Sequence, residues 1–467
     1  MNINNDPNNV IVVDTSSNAG QNQHKCPMCG APGISLNPAT GMLKCGYCQN
    51  EVAPEKASGP GTDLSRLQGM IVGSGTQNVT EDAESIITLV CTSCGAEVVI
   101  NIDESAHSRC HWCRNTLSVS QQISNGSVPD MVLPFYITKE AAQEEIQKFV
   151  NKRKFYAHPT FKQEFCTENI MGVYLPYMVV DINANATFKG HAEREIKKYT
   201  FNKKTYYDAD LYYVERKFDL QIEGLAIISS SDKLAGSSDK TNNIINAIKP
   251  FDYENCIKWN ASYLVGYASE KRDTDITDLK APVDVKAKDI ARYSSNRTLE
   301  EYDRGVRWEQ EEFETKGQKW NAAYLPVWLY SYLQIKDTGE NLLHYVAVNA
   351  RTLKTMGSVP INQLRLLLVS SLIQLIATII GLAIVFLGDD SSEIALILLI
   401  AGFVYYGIIY MRYRNTNERF EHEKETRTSL NNVERSDVYI RRLKRQKNSV
   451  IKGANSTSVN YNNTGDI

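Results

Sequence analysis

Two apolar runs dominate the hydropathy pattern. Residues 366–387, LLLVSSLIQLIATIIGLAIVFL, carry no charge over 22 positions. At 1.5 Å per residue such a helix reaches about 33 Å, enough to cross a hydrocarbon core. Residues 394–411, IALILLIAGFVYYGIIYM, give a second run of 18. The pattern predicts a two-helix transmembrane hairpin over 364–411. A buried hairpin in a soluble protein is the weaker reading, because uncharged runs this long are rare outside membranes.

Upstream, the periodicity changes several times. VLPFYITKEAAQEEIQKFVNKRKF predicts a helix capped by Thr138, with Ala142, Ile146, Phe149 and Val150 on one face. GVYLPYMVVDINANATFKG (172–190) reads as strand, turn, strand, and 205–228 as strand. Residues 284–317 read as helical and solvated. A hairpin turn at Gly339 separates two further strands, and KTMGSV adds a short one. Tyr-Leu-Pro opens an aromatic, β-branched run at 174–182 and again at 324–332, which suggests two related halves.

Cysteine spacing adds a second kind of signal. CPMCGAPGISLNPATGMLKCGYC (26–48) and CTSCGAEVVINIDESAHSRCHWC (91–113) each place two Cys-x-x-Cys pairs around fifteen residues. Each pair offers two thiolates from one tight knuckle, with Gly30, Gly46 and Gly95 suited to the turns. Two knuckles close a tetrahedral four-sulfur site. The expected ligands are Cys26, Cys29, Cys45 and Cys48 in the first ribbon, and Cys91, Cys94, Cys110 and Cys113 in the second. Zinc is expected at both sites. The intervening loop is shorter than in rubredoxin, which disfavours iron. Four cysteines leave no open position, so both zincs are expected to be structural.

The expected fold class is therefore α+β: two zinc ribbons, a mixed antiparallel body possessing two related halves, and a C-terminal transmembrane hairpin. The boundaries are a disordered lead-in (1–24), ribbon one (25–56), a Gly/Ser-rich flexible linker (57–84) and ribbon two (85–118). The body (130–360), the hairpin (364–411) and a charged tail (412–467) follow.

Charge then sets orientation and excludes partners. The chain has 51 Lys and Arg against 54 Asp and Glu over 467 residues. Around the second cassette Glu97, Asp103 and Glu104 outweigh Arg109 and Arg114, and Glu81, Asp82 and Glu84 lie just upstream. A ribbon that tracks phosphates needs a basic face, so nucleic acid is a disfavoured partner. His107, His111 and Trp112 read as packing residues in preference to base contacts. Arg351, Lys354 and Arg365 precede the first apolar run, and Arg412 and Arg414 follow the second. The connecting loop carries only Asp389, Asp390 and Glu393. The positive-inside rule places both termini in the cytoplasm of a multi-pass plasma-membrane protein. The N-terminus, lacking Lys and Arg, does not read as a secretory signal. In the tail, Arg441, Arg442, Lys444, Arg445 and Lys447 form a basic run. It reads either as a solvated helix face or as a contact with anionic headgroups.

No Gly-rich phosphate loop, nucleophile elbow or His-Glu-x-x-His helix is found, so no enzyme is expected. LPFYITKEAA, GVYLPYMVVD, IKPFDYENCIKWNASYLVGYASEKRD, AAYLPVWLYSY and HYVAVNARTLKTMGSVP follow a four-cysteine ribbon. In that order they resemble the bacterial TFIIB-type zinc-ribbon membrane proteins of unassigned function, often labelled primosomal helicase-like. The resemblance covers about residues 90–360. It implies membrane helices and, for some relatives, membership in phage-shock-type envelope-stress clusters. That family shows Val-Asn-Gly-x-Thr-Gly-Lys at its last turn, where this chain has Ala350 and Leu353 in place of the glycines. The functional expectation is a membrane-anchored cytoplasmic scaffold or adaptor that meets other membrane-associated proteins. The alternative is a membrane-tethered nucleic-acid-binding regulator.

Overall fold

The computed structural model describes residues 3–5, 11–14, most of 26–128, 129–202, 204–230, 247–335, 341–386, 398–413 and 427–446. It corrects the expected fold class: the chain is dominated by β-structure, not balanced between α and β. Short strands β1 (Ile3–Asn5) and β2 (Ile11–Asp14) come first. Ribbon one holds β3 (Ile34–Asn37), β4 (Met42–Cys45) and β5 (Glu51–Val52), a small sheet of its own. Within the stretch read as linker, β6 (Met70–Gly73) joins the main sheet beside β2. Ribbon two holds β7 (Ile86–Val90) and β8 (Glu97–Asn101), followed by β9 (Gln122–Ile123) and β10 (Met131–Val132).

Helix α1 (Lys139–Asn151) starts where expected, with the Thr138 hydroxyl accepting the Ala141 N–H at 3.4 Å. Ala142, Ile146 and Val150 are buried, as the periodicity requires. Helix α2 (Pro159–Glu164) is short. Then β11 (Met171–Phe201) runs 31 residues and β12 (Lys204–Ile228) 25 residues. The turn expected inside 172–190 is absent, and β11 is continuous over roughly 100 Å at 3.3 Å per residue. After β13 (Ile257–Lys258) and β14 (Ala268–Glu270), α3 spans Ile276–Asn296. Its first turn carries a capping box: Asp275 Oδ1 accepts the Thr277 and Asp278 N–H groups at 2.8 and 3.2 Å.

The helix expected through residue 317 ends at Asn296, and β15 (Val306–Ile335) takes over for 30 residues. The glutamates of 306–317 line a strand; Glu309 meets His191 on β11, and Glu311 meets cations on α3. Glu311 accepts Arg292 Nε at 2.7 Å. β16 (Asn341–Asn349) and β17 (Thr355–Gly357) complete the antiparallel unit. Its turn at Gly339 lies outside the described residues, although Ile335 and Asn341 are register partners.

The two Tyr-Leu-Pro motifs lie side by side in one sheet. They pair with each other in one antiparallel ladder: Tyr174 faces Pro326, Leu175 faces Leu325, and Pro176 faces Tyr324. A proline inside a central strand costs a ladder bond unless its position has no acceptor opposite. Here each proline stands where its strand changes outer neighbour. β11 pairs β14 up to Tyr174 and β12 from Tyr177. β15 pairs β10 up to Tyr324 and β16 from Val327.

α3 covers one face of the β11–β12–β15 region. Leu279, Val283, Ala287 and Ile290 pack on Ile182, Ala184, Phe188, Phe218 and Leu220. At the last turn Leu353 adopts φ 62°, the left-handed conformation that favours glycine. The turn is held by Asn349, whose Oδ1 accepts the Arg351 N–H at 2.8 Å and whose Nδ2 donates to the Ile248 carbonyl at 2.7 Å.

The transmembrane hairpin is also corrected. Helix α4 (Gln363–Phe386) is long and apolar enough to cross a bilayer. Among the described residues the second run yields only α5 (Ala401–Tyr413), 13 residues or about 20 Å, too short to span. α5 packs back along α4: Gln374 Oε1 accepts the Gly402 N–H at 2.9 Å. The loop acids Asp389, Asp390 and Glu393 lie outside the described residues. The chain then rejoins the body as β18 (Arg427–Gln446), antiparallel to β12 from Arg427↔Glu223 to Gln446↔Tyr206.

Gly190 sits at a register shift between β11 and β15, where an added Cβ would collide with the Arg307 carbonyl and the Trp308 backbone. Gly190→Ala is expected to cost about 2–3 kcal/mol. Hydrogen exchange should show reduced protection in residues 186–192 and 306–312.

Candidate metal centres and the charges around them

All eight expected cysteines fall into two groups of four, and they are the only groups of their kind among the described residues. Each knuckle is built the same way. The residue after its second cysteine turns left-handed: Gly30 (φ 71°), Gln49 (61°), Gly95 (77°) and Arg114 (65°). Its N–H returns to the carbonyl of the first cysteine: Gly30 to Cys26 at 2.7 Å, Gln49 to Cys45 at 3.0 Å, Gly95 to Cys91 and Arg114 to Cys110 at 2.8 Å. Gly46 therefore does not occupy the special turn position. Glutamine and arginine fill it in the second knuckle of each pair, where composition gave no signal.

The sulfurs converge. Cys26 Sγ lies 3.5 Å from Cys48 Sγ, and Cys29 Sγ 3.7 Å from Cys45 Sγ. In ribbon two the corresponding separations are 3.4 and 3.5 Å. Zinc–sulfur bonds of about 2.3 Å in a tetrahedron would set the sulfurs about 3.8 Å apart. The donor set therefore fits a tetrahedral thiophilic ion with one ion per cassette, paired locally. Within each site the thiols diverge: Cys94 and Cys45 are lowered, whereas Cys110, Cys113 and Cys48 are raised. Hydrogen bonding from Cys110 lowers the Cys94 thiol to about 5 against the opposing effect of burial. The Cys48 N–H lowers Cys45 to about 6. In each knuckle the first cysteine is buried. Cys29, Cys48 and Cys94 face solvent, and Cys113 is half-buried.

The two ribbons differ in their seating. Ribbon two is part of the main sheet, since β8 pairs β14 through Ser269↔Val99 and Glu270↔Val98. Its second knuckle is plugged into the core. Trp112 Nε1 donates to Glu270 Oε1 at 2.6 Å, His111 Nε2 lies 3.5 Å from the same oxygen, and Ser331 Oγ donates to the His111 carbonyl at 2.6 Å. His111 and Trp112 are thus buried packing residues, as expected. His107, Asp103 and Glu104, like Glu81, Asp82 and Glu84, lie outside the described residues.

Ribbon one docks on the surface. Cys26, Ile34, Leu43 and Cys45 pack in one cluster with Trp259, Tyr263 and Leu264. The Ala57 and Lys258 N–H groups bond the Cys256 and Glu55 carbonyls at 3.0 and 2.9 Å. Its knuckle tips point outward, with Met28 73% and Tyr47 72% exposed.

The basic run forms neither a helix nor a loose tail. Arg441, Arg442, Lys444 and Arg445 lie in β18, and Lys447 is outside the described residues. Arg442 Nε donates to Asp210 Oδ1 at 2.7 Å, and Arg445 Nη1 meets the buried Glu193 at 2.6 Å. Farther along, Arg216 pairs with Asp437, and Asn432 Nδ2 donates to Asp219 at 2.6 Å. Sequence order could not reveal these acceptors, which lie more than 200 residues away.

Metal loss is expected to separate the two sites. Cys91→Ser and Cys26→Ser should each lower metal content from two ions per chain to about one by elemental analysis. Only Cys91→Ser should destabilise the main sheet, by roughly 3 kcal/mol or more, because its ribbon is part of it. Acid should release β18 in a defined window. The Arg442 hydrogen bond lowers the Asp210 carboxyl below its usual range, and Asn432 then Lys316 lower Asp219. Both contribute stability that is full above the unfolded value near 4 and is lost as pH falls through the lower folded values. Glu193 acts oppositely: burial raises its carboxyl, so acidification relieves its ionisation cost. Hydrogen-exchange protection of 427–446 should therefore fall only below about pH 4, and Asp210→Asn should weaken protection at neutral pH.

No family model matches the chain, and no solved structure does. The chain is similar to the uncharacterized protein YdjG of Bacillus subtilis (strain 168), 23% identical over 246 residues, which are 52% of this chain and 67% of that protein.

Proposed function

We propose that the chain is a membrane-anchored scaffold whose two ribbons carry structural zinc and whose outward ribbon receives a membrane-associated protein partner. The observation that carries this reading is the pairing of a closed four-sulfur site with an exposed apolar tip. Ribbon one offers no vacant coordination position, yet it holds Met28 and Tyr47 in solvent on rigid knuckles. Exposed apolar side chains on a rigid support suit protein recognition.

The anchor in this reading is α4. Only 17% of its apolar window is buried, which supports a lipid-facing helix over the core helix of a soluble body. Leu368, Leu372, Leu375 and Ile379 all face outward. The return of the chain as β18 keeps the tail with the body. The resemblance to bacterial TFIIB-type zinc-ribbon membrane proteins supports an envelope-stress setting for the assembly.

Zinc is expected at two ions per chain by elemental analysis, and iron in their place would overturn the metal assignment. In mild detergent the full chain should co-purify with a stoichiometric protein. Met28→Ala combined with Tyr47→Ala should cut recovery of that protein at least about tenfold with zinc content unchanged. Recovery of the bare chain, together with a salt-sensitive gel shift, would replace this reading with nucleic-acid binding.

A further inference from the structure

The segment Lys152–His158 is the seat of α4. The Asn362 N–H donates to the Tyr156 carbonyl at 2.8 Å, the His158 N–H to the Pro360 carbonyl at 2.8 Å, and Ala157 bridges Ile361. Asn362 caps the helix, accepting the Arg365 N–H at 2.9 Å. Tyr156 is wedged beneath α5. Its hydroxyl lies 2.8 Å from that of Tyr405, and its ring meets Tyr413 edge-on at 5.9 Å.

Five cations from four places in the sequence gather around this seat. The Phe155 carbonyl accepts Arg365 Nη1 at 2.9 Å and Lys162 Nζ at 3.5 Å. The Arg365 guanidinium also lies 5.4 Å from the centroid of the Phe155 ring. On the other side of Tyr156, Arg153 lies over Phe149 at 3.6 Å, and its buried Nε has no hydrogen-bond partner. Among the described residues no carboxylate pairs with Arg153, Lys154, Lys162, Arg365 or Arg412.

Their neighbours are instead one another. Burial, then Arg412, lowers Arg153. Burial, then Arg365 and Lys154, lowers Lys162. Like charges held together at partial burial are unfavourable unless an anion completes the site. Elsewhere in this chain clustered cations are neutralised from within, as Arg442 and Arg445 are by Asp210 and Glu193.

The surrounding apolar surface says where the anion comes from. Phe155 is 61% exposed beside the cations, and Leu364, Leu367 and Leu368 are exposed on the first turns of α4. Aromatic rings and cations at the root of an apolar helix match the depth of lipid phosphates. We propose that Arg153, Lys154, Lys162, Arg365 and Arg412 form a collar that binds the phosphates of anionic phospholipids where α4 enters the bilayer. The inference rests on α4 being the anchor.

The test uses the full chain reconstituted in nanodiscs of phosphatidylcholine with a minor share of phosphatidylglycerol. Lipids that stay bound are identified by native mass spectrometry. Phosphatidylglycerol is expected to be enriched. Lys162→Gln should reduce the enrichment, and Arg153→Gln with Lys162→Gln and Arg365→Gln should lower it at least about tenfold. Hydrogen exchange across β11 and β12 should stay unchanged, which separates lost binding from lost folding. Arg441→Gln with Lys444→Gln should leave the enrichment intact.

Incorporation without preference for phosphatidylglycerol would overturn the collar and leave the anchor standing. Displacement of the lipid by inorganic phosphate at low concentration would overturn it in favour of a soluble phosphate site. Failure to incorporate at all would overturn the anchor itself, and the collar with it.

Discussion

Everything else in the molecule hangs on the backbone ladder of β11. It hydrogen-bonds β15 along one edge, and β14 then β12 along the other. Through β14 it holds ribbon two, through β12 it holds the C-terminal strand, and through β15 and β16 it leads to the helix root. A strand paired on both edges must satisfy nearly every main-chain group, and the two prolines are tolerated only where the lateral partner changes. Pro176 and Pro326 thus mark the junctions of the architecture.

How much of this was legible depends on how local the cause is. The knuckles are local: four residues and a returning N–H define each one, so spacing alone locates all eight sulfurs. The cap of α1 is local too. The length of β11 is not. Asn183, Asn185 and Gly190 look like turn chemistry, and only pairing on both edges makes them strand. The Glu-rich opening of β15 reads as a helix for the same reason. Among its acids, Glu311 meets Arg292 and Lys288 on α3.

Charge misleads when it is read along the chain and informs when it is read in space. The densest basic run, at 441–445, is the segment in which Arg442 and Arg445 are matched by the buried acids Asp210 and Glu193 across the sheet. The cations without acids are spread over residues 153, 154, 162, 365 and 412, where no window of sequence contains more than three of them. Their gathering is produced by the seat of α4. The same holds for Glu270: nothing near it in sequence suggests that it receives the indole of a four-cysteine knuckle 158 residues earlier.

The position of β18 carries an implication for biogenesis. It is the outer neighbour of β12, yet it is synthesised after the apolar helix. While the ribosome completes residues 363–413, β12 presents an unpaired edge more than 50 Å long by its 17 register pairs with β18. The sheet can close only once the last strand has emerged behind the apolar segment. Completion of the last strand is thereby a precondition for finishing the domain, and a chain that stops short of it keeps an adhesive margin open to other strands.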